Sequence, residues 1–184
     1  MRTVREFASA TQALLADAGD DWNHVEAGLG ELMREWVRRP DLLTLGVPRE
    51  GNHVRESQYL YYDGELAITI SHQGRGVTIP AHDHGVWEAV AVYRGRITHT
   101  RYRGAGEVAD ASADAALEIL EERVMGAGDT ILVAPPDDIH SFTALSEDTY
   151  HLAVVGGRYS PVRRYFQPDD HSYIYRAETS WRRR

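Results

Sequence analysis

The 184-residue sequence contains no cysteine. That excludes disulfides, thiolate metal sites and cysteine nucleophiles, and it leaves His, carboxylate and water as the metal ligands to look for. Long hydrophobic runs are missing as well. No stretch approaches the roughly 18 apolar residues that a membrane span needs, and the opening segment Met1-Arg-Thr-Val-Arg-Glu-Phe7 lacks the apolar core of a secretion signal. The expectation is a cytoplasmic protein with no membrane partner. A surplus of positive charge is also absent: the formal net charge is -8, opposite in sign to the basic surface that neutralises phosphates, so nucleic acid is not an expected partner. The one basic cluster, Trp181-Arg182-Arg183-Arg184, reads as a solvated tail. There is no internal repeat and no linker, and the length suits one domain, 1–184.

What is present falls into two parts. From Thr3 to about Asp17, Val4, Phe7, Ala8, Leu14 and Leu15 recur at spacings of three, four and seven. Trp22, Val25, Leu29, Leu32, Met33, Trp36 and Val37 repeat the pattern. These spacings predict two amphipathic helices within a helical segment, 1–45, with Asp20 or Asp21 capping the second and Pro40 stopping it. Their expected role is packing against a sheet.

After Ser57 the period becomes that of strands, rich in Tyr, Ile, Val and Thr, over a β-region spanning 57–175. Gln58–Tyr62, Asp63-Gly64 and Glu65–Ile70 read as a hairpin with a type I′ turn. Further strands are expected at Val77–Ile79, Val86–Tyr93, Ile97–Tyr102, Leu117–Val124, Thr130–Val133, Ser141–Leu145 and Thr149–Val155. Gly104–Ala115 reads as a surface loop. Helices followed by about eight evenly spaced strands point to a sandwich or barrel rather than a parallel α/β sheet.

The chemistry concentrates in Gly76–Gly95. In a strand, alternate side chains share a face, so His82 and His84 project together about 6.6 Å apart along the backbone and both imidazoles can converge on one ion. Glu88 keeps that parity, and Asp83 alternates away as a turn-stabilising group. His140, after the turn Gly126–Asp129, offers a third imidazole. Two neighbouring imidazoles on an inward face are costly to bury unless a metal compensates them. His24, His53, His72, His99 and His171, taken singly, read as packed or surface residues.

With its glycine, His-x-His, Glu and closing glycine at Gly76, His82, His84, Glu88 and Gly95, this segment resembles the first motif of the cupins. Gly128 and His140 resemble the second, one residue further apart than usual, with Ala134 and Pro135 about the proline position and Ala144 where the family has Asn. The resemblance implies a mainly β fold, the double-stranded β-helix or jelly-roll barrel, behind the two helices. It implies one divalent metal on His82, His84, Glu88 and His140, with Fe(II) the first expectation and Mn(II), Ni(II) or Zn(II) compatible with the same ligands. A homodimer is implied only in this way.

Within the cupins, the order of parts over roughly Ser57 to Gln167 most resembles the thiol dioxygenases that act on cysteine and 3-mercaptopropionate. Their Ser-His-Tyr relay appears as Thr149, His151 and Ala153, which makes His151 a candidate catalytic residue without its Tyr. Those enzymes carry Gly or Cys where this chain keeps Glu88, an anionic group that would occupy a metal position and disfavour thiolate binding. Their carboxylate-clamping arginine has no counterpart in Gln58–Tyr62, although Arg163 and Arg164 can bind a carboxylate. Tyr59, Tyr61 and Trp87 are candidates for the pocket wall, with packing as their bland alternative. The expected function is a metal-dependent oxygenase taking a small organic substrate and O₂. The alternatives are a non-redox isomerase, epimerase or lyase, and a non-catalytic small-molecule binding protein.

Overall fold

Thr3 opens the first helix because its hydroxyl accepts the Glu6 N–H while the Glu6 carboxylate accepts the Thr3 N–H, a reciprocal cap that satisfies two otherwise orphaned donors. The computed structural model describes residues 3–49, 56–104, 116–157, 162–167 and 172–177. The tail from Trp181, His53, His171 and all but the first residue of the expected Gly104–Ala115 loop lie outside them. Helix α1 spans Val4–Ala18 and α2 spans Trp22–Trp36. Asp21 is the residue that caps α2, its carboxylate accepting from the Asn23 and His24 N–H groups. Phe7 and Trp36 stack at 4.9 Å between the two helices. Both are wholly buried with Val25, Leu29 and Met33, each such side chain contributing about 1.5–3 kcal/mol through area removed from water.

Among the described residues twelve strands follow: β1 Val47–Pro48, β2 Glu56–Tyr62, β3 Leu66–Gln73, β4 Thr78–His82, β5 Glu88–Arg94, β6 Arg96–Gly104, β7 Leu117–Gly126, β8 Thr130–Val133, β9 Ile139–Ala144, β10 Thr149–Gly156, β11 Val162–Gln167 and β12 Ser172–Ala177. They form two six-stranded antiparallel sheets, ordered β1-β2-β3-β10-β5-β8 and β12-β11-β4-β9-β6-β7. Period two divides the first sheet into faces. Leu66, Ile68, Ile70, Ala89, Ala91, Leu132, Leu152 and Val154 pack with the helices. Val90, Val92 and Ile131 face inward and meet Ile79, Ile97, Met125 and Phe142 of the second sheet. The expected class, mainly β with two N-terminal helices around a two-sheet barrel, is the observed one. No helix among the described residues is long and apolar enough to cross a membrane.

Two local expectations change. The hairpin turn spans Asp63–Glu65, between the end of β2 at Tyr62 and the start of β3 at Leu66, one residue longer than the expected Asp63-Gly64, and it is closed by Asp63, its N–H donating to the Leu66 carbonyl. Its carboxylate accepts the Glu65 and Leu66 N–H groups. The His-x-His pair, expected in one strand, straddles a strand end: β4 stops at His82, His84 follows it, and Glu88 opens β5. Parity along one strand therefore does not bring the three together.

Candidate metal centre

A bulge starts the site. Ile79 pairs with Phe142 and His82 with His140, so three steps along β4 match two along β9. The extra residue keeps both Ile79 and His82 on the inner face, and it sets His82 directly across from His140. Beyond the strand end, His84 is placed by Asp138, whose carboxylate accepts the His84 N–H at 3.1 Å and the Gly85 N–H at 2.8 Å. Asp83 turns outward as expected and holds Arg164, accepting its backbone N–H at 3.0 Å and its guanidinium. Glu88 enters from the other sheet at the start of β5.

These placements converge. His82, His84, Glu88 and His140 each offer one ligand atom, all within 4.8 Å of one another, and all four residues are buried. His84 Nε2 lies 3.0 Å from His82 Nε2, 3.1 Å from His140 Nε2 and 2.8 Å from Glu88 Oε2. His140 Nε2 lies 3.1 Å from Glu88 Oε2. Neighbouring ligands around an ion at about 2.1 Å stand about 3.0 Å apart when six positions surround it, and about 3.4 Å apart in a tetrahedron. The donor set fits a divalent ion, and its spacing is the tighter of the two. The ring orientations fit too. A carbonyl only accepts, so His82 Nδ1–H donates to the Pro80 carbonyl at 2.8 Å and leaves the Nε2 lone pair facing the other donors.

Electrostatics point the same way. Burial pushes His82 well below the ordinary histidine value, aided by His140, His84 and Arg163, and burial also lowers His84. Neutral imidazole is the ligating form. Burial opposes the charge on Glu88, yet His84 and His140 outweigh it and hold its carboxyl well below the usual carboxylate range. Burial and mutual contact thus keep His82 and His84 toward the neutral form and Glu88 toward the charged one.

The remaining expected residues separate into two groups. Arg163 comes close to the donors. Tyr165 pairs with His82 in register and stacks on its ring at 5.5 Å, so Arg163, on the same face of β11 two residues away, stands at the level of His84. It is 6 % exposed. Tyr59 pairs with Thr69 on the inner face, further along the sheet. Trp87 and Tyr61 lie elsewhere: both pack with the helix-facing core, because residue 87 has the opposite parity to Glu88 and a bulge between Tyr59 and Tyr61 turns β2 over. Trp87 borders a cavity of about 400 Å³ with Gln12, Leu15 and Gly156. His151 is inward but deep. It pairs with Val92, whereas Val155 pairs with Glu88, a difference of about 13 Å along the strand. Its ring meets Phe142 edge-on at 4.9 Å, and Ala153 occupies the step between it and the donor level.

Three supporting residues were not expected from sequence: Asp138, Tyr165 and His99. His99 is 0 % exposed and its Nε2 lies 3.0 Å from His140 Nδ1. Burial pushes it well below the ordinary histidine value. A lone buried His carries no sequence signal of this kind; only the register of β6 on β9, His99 opposite Phe142, reveals it.

No protein-family model matches the chain, and no curated protein matches it. Solved structures do resemble it in part. KdgF from Halomonas sp. is 14% identical, with a TM-score of 0.46 over 61% of this chain and 86% of that one. An RmlC-like cupin from Shewanella frigidimarina is 16% identical, with a TM-score of 0.45 over 62% and 86%. A cupin superfamily protein from Desulfitobacterium hafniense is 12% identical, with a TM-score of 0.41 over 54% and 74%. These are likenesses of fold, and the chemistry of this chain follows from its own donors.

Proposed function

We propose that the protein is a mononuclear metal-dependent oxygenase acting on a small organic anion, with Fe(II) on His82, His84, Glu88 and His140. The convergence of four buried donor atoms within 4.8 Å of one another, with His84 2.8–3.1 Å from each of the other three, is the observation that carries this reading. When bound there, iron supplies the electrons for O₂ chemistry that protein side chains lack. The protein's own part is binding, orientation and exclusion of water.

The anionic substrate class rests on Arg163. Its guanidinium is buried and adds positive charge beside His82 and His84, which favours an anionic substrate at the metal. Arg163 on β11 and the donors on β4, β5 and β9 come from different strands, so a short acid held by the guanidinium has its reactive end fixed by rigid elements. Glu88 fills a ligand position that a thiolate would otherwise take, so the preferred substrate is a carboxylic or keto acid rather than a thiol. His151, separated from the donors by Ala153, is assigned to packing at the barrel floor and not to proton transfer.

Metal analysis of anaerobically purified protein, followed by oxygen uptake against a panel of small hydroxy, keto, amino and mercapto acids, tests this directly. Iron-dependent uptake with an acid, with KM raised at least 10-fold in Arg163→Gln and kcat less affected, is the expected result. Glu88 as a retained anionic ligand also favours a second reading, a non-redox isomerase, epimerase or lyase. Turnover of an acid under anaerobic conditions would establish that one instead.

A further inference from the structure

The Glu88 carboxylate fixes where the His140 proton sits in the metal-free protein. Glu88 Oε2 only accepts; His84 Nε2 faces it at 2.8 Å and His140 Nε2 at 3.1 Å, and one carboxylate oxygen accepts from both, which puts the His140 proton on Nε2. His140 Nδ1 is then an acceptor. The atom facing it at 3.0 Å is His99 Nε2, which must donate. A metal on His140 Nε2 requires the opposite. The Nε2 lone pair goes to the ion, the proton moves to Nδ1, and His99 Nε2 has to accept it. The His99 proton then sits on Nδ1, an atom with no hydrogen-bond partner among the described residues.

We infer that His99 and His140 form a two-state tautomer switch in which metal loading reverses the direction of their hydrogen bond, making His99 a positioning residue for the His140 ligand. This rests on the metal reading given above. Each ring carries one proton in both states, so the reversal moves a proton from Nε2 to Nδ1 on both rings, and the pair neither gains nor loses one. His99 serves both states because an imidazole both donates and accepts. A carboxylate or carbonyl in its place could only accept and would match the loaded state alone. Complete burial of both rings removes water as a substitute partner.

Zn(II), a diamagnetic probe, allows the test without turnover. Nitrogen-15 NMR of histidine-labelled wild-type protein should show His99 protonated on Nε2 without metal and on Nδ1 with Zn(II), and His140 changing in the same way. His99→Phe, which offers neither donor nor acceptor, should weaken Zn(II) binding roughly 10- to 100-fold. His99→Gln, whose amide can donate or accept, should stay within a few-fold of wild type. Wild-type protein that binds no Zn(II) would overturn the metal reading and the switch with it. Zn(II) binding by wild type with His99 protonated on the same nitrogen throughout, or with equal affinity in His99→Phe, would overturn the switch alone. Equal weakening in His99→Phe and His99→Gln would reduce His99 to shape. If His99→Phe does not fold, the wild-type spectra and His99→Gln still decide.

Discussion

The carboxylate of Asp138 accepts the backbone N–H of His84 at 3.1 Å and, with the same oxygen, that of Gly85 at 2.8 Å. The ligand segment between β4 and β5 lies outside both strands, and Asp138 ties it down. Asp138→Ala leaves two N–H groups without their acceptor in a mostly buried place, at a cost of about 2–4 kcal/mol. Divalent metal affinity should fall by at least 10-fold because His84 loses its anchor. Urea unfolding and metal titration check both. A variant with wild-type affinity would mean that His84 is held by its ring alone.

His84→Ala removes the imidazole that touches the other three donors. Metal binding should be lost while the barrel stays folded, because His84 follows the strand end and no ladder bond depends on its side chain. Metal content after dialysis and circular dichroism report the two halves separately. Retained stoichiometric metal would be hard to reconcile with the centre described.

Burial holds His82, His84 and His99 below the ordinary histidine value of 6.5. The unfolded chain therefore takes up protons near that value that the folded chain refuses. Depressed values stabilise the fold above 6.5, and that stability is lost as pH falls through and below it, by up to about 1.4 kcal/mol per pH unit for each imidazole. Glu88, held below its ordinary 4.5, acts with the same sign and extends the loss at lower pH. Denaturant titrations of the metal-free protein across this range should show stability falling with acid. A flat or rising profile would contradict neutral burial of these rings.

Gly156, at the end of β10, lies against the Trp87 indole, and a Cβ there would come within 2.1 Å of the ring. Gly156→Ala must displace Trp87, at about 1–3 kcal/mol for overpacking. Thermal unfolding should report the loss, and tryptophan fluorescence the displaced ring. Unchanged values for both would mean that the indole has room to move.

Much of the fold was legible because burial on one face writes period two or 3.6 directly into a sequence. Both helices and the strands from β2 to β10 show it. Strands β1, β11 and β12 were not: β1 has two residues, and β11 carries Arg163-Arg164, whose adjacent charges read as surface although one side chain is buried. The donors were legible through the spacing of His82, His84 and Glu88 and the resemblance it supports, though not for the reason of strand parity. What holds those donors was hidden. Asp138 is 54 residues from His84 and His99 is 41 from His140, and such pairings arise from sheet register, which local patterns do not encode. Trp87 and Tyr61 were assigned to the pocket on residue type, and face direction moved both to the helix side.

The irregularity between Ile79 and His82 gives this molecule its one-residue tolerance. Upstream of it, β4 supplies an aliphatic side chain to the barrel floor; downstream, it supplies an imidazole to the mouth. A deletion of one residue between them would restore a regular ladder and leave a choice: the aliphatic group stays in and the imidazole swings to the outside, or the reverse. Reactivity and foldability here are tied to a single surplus peptide unit.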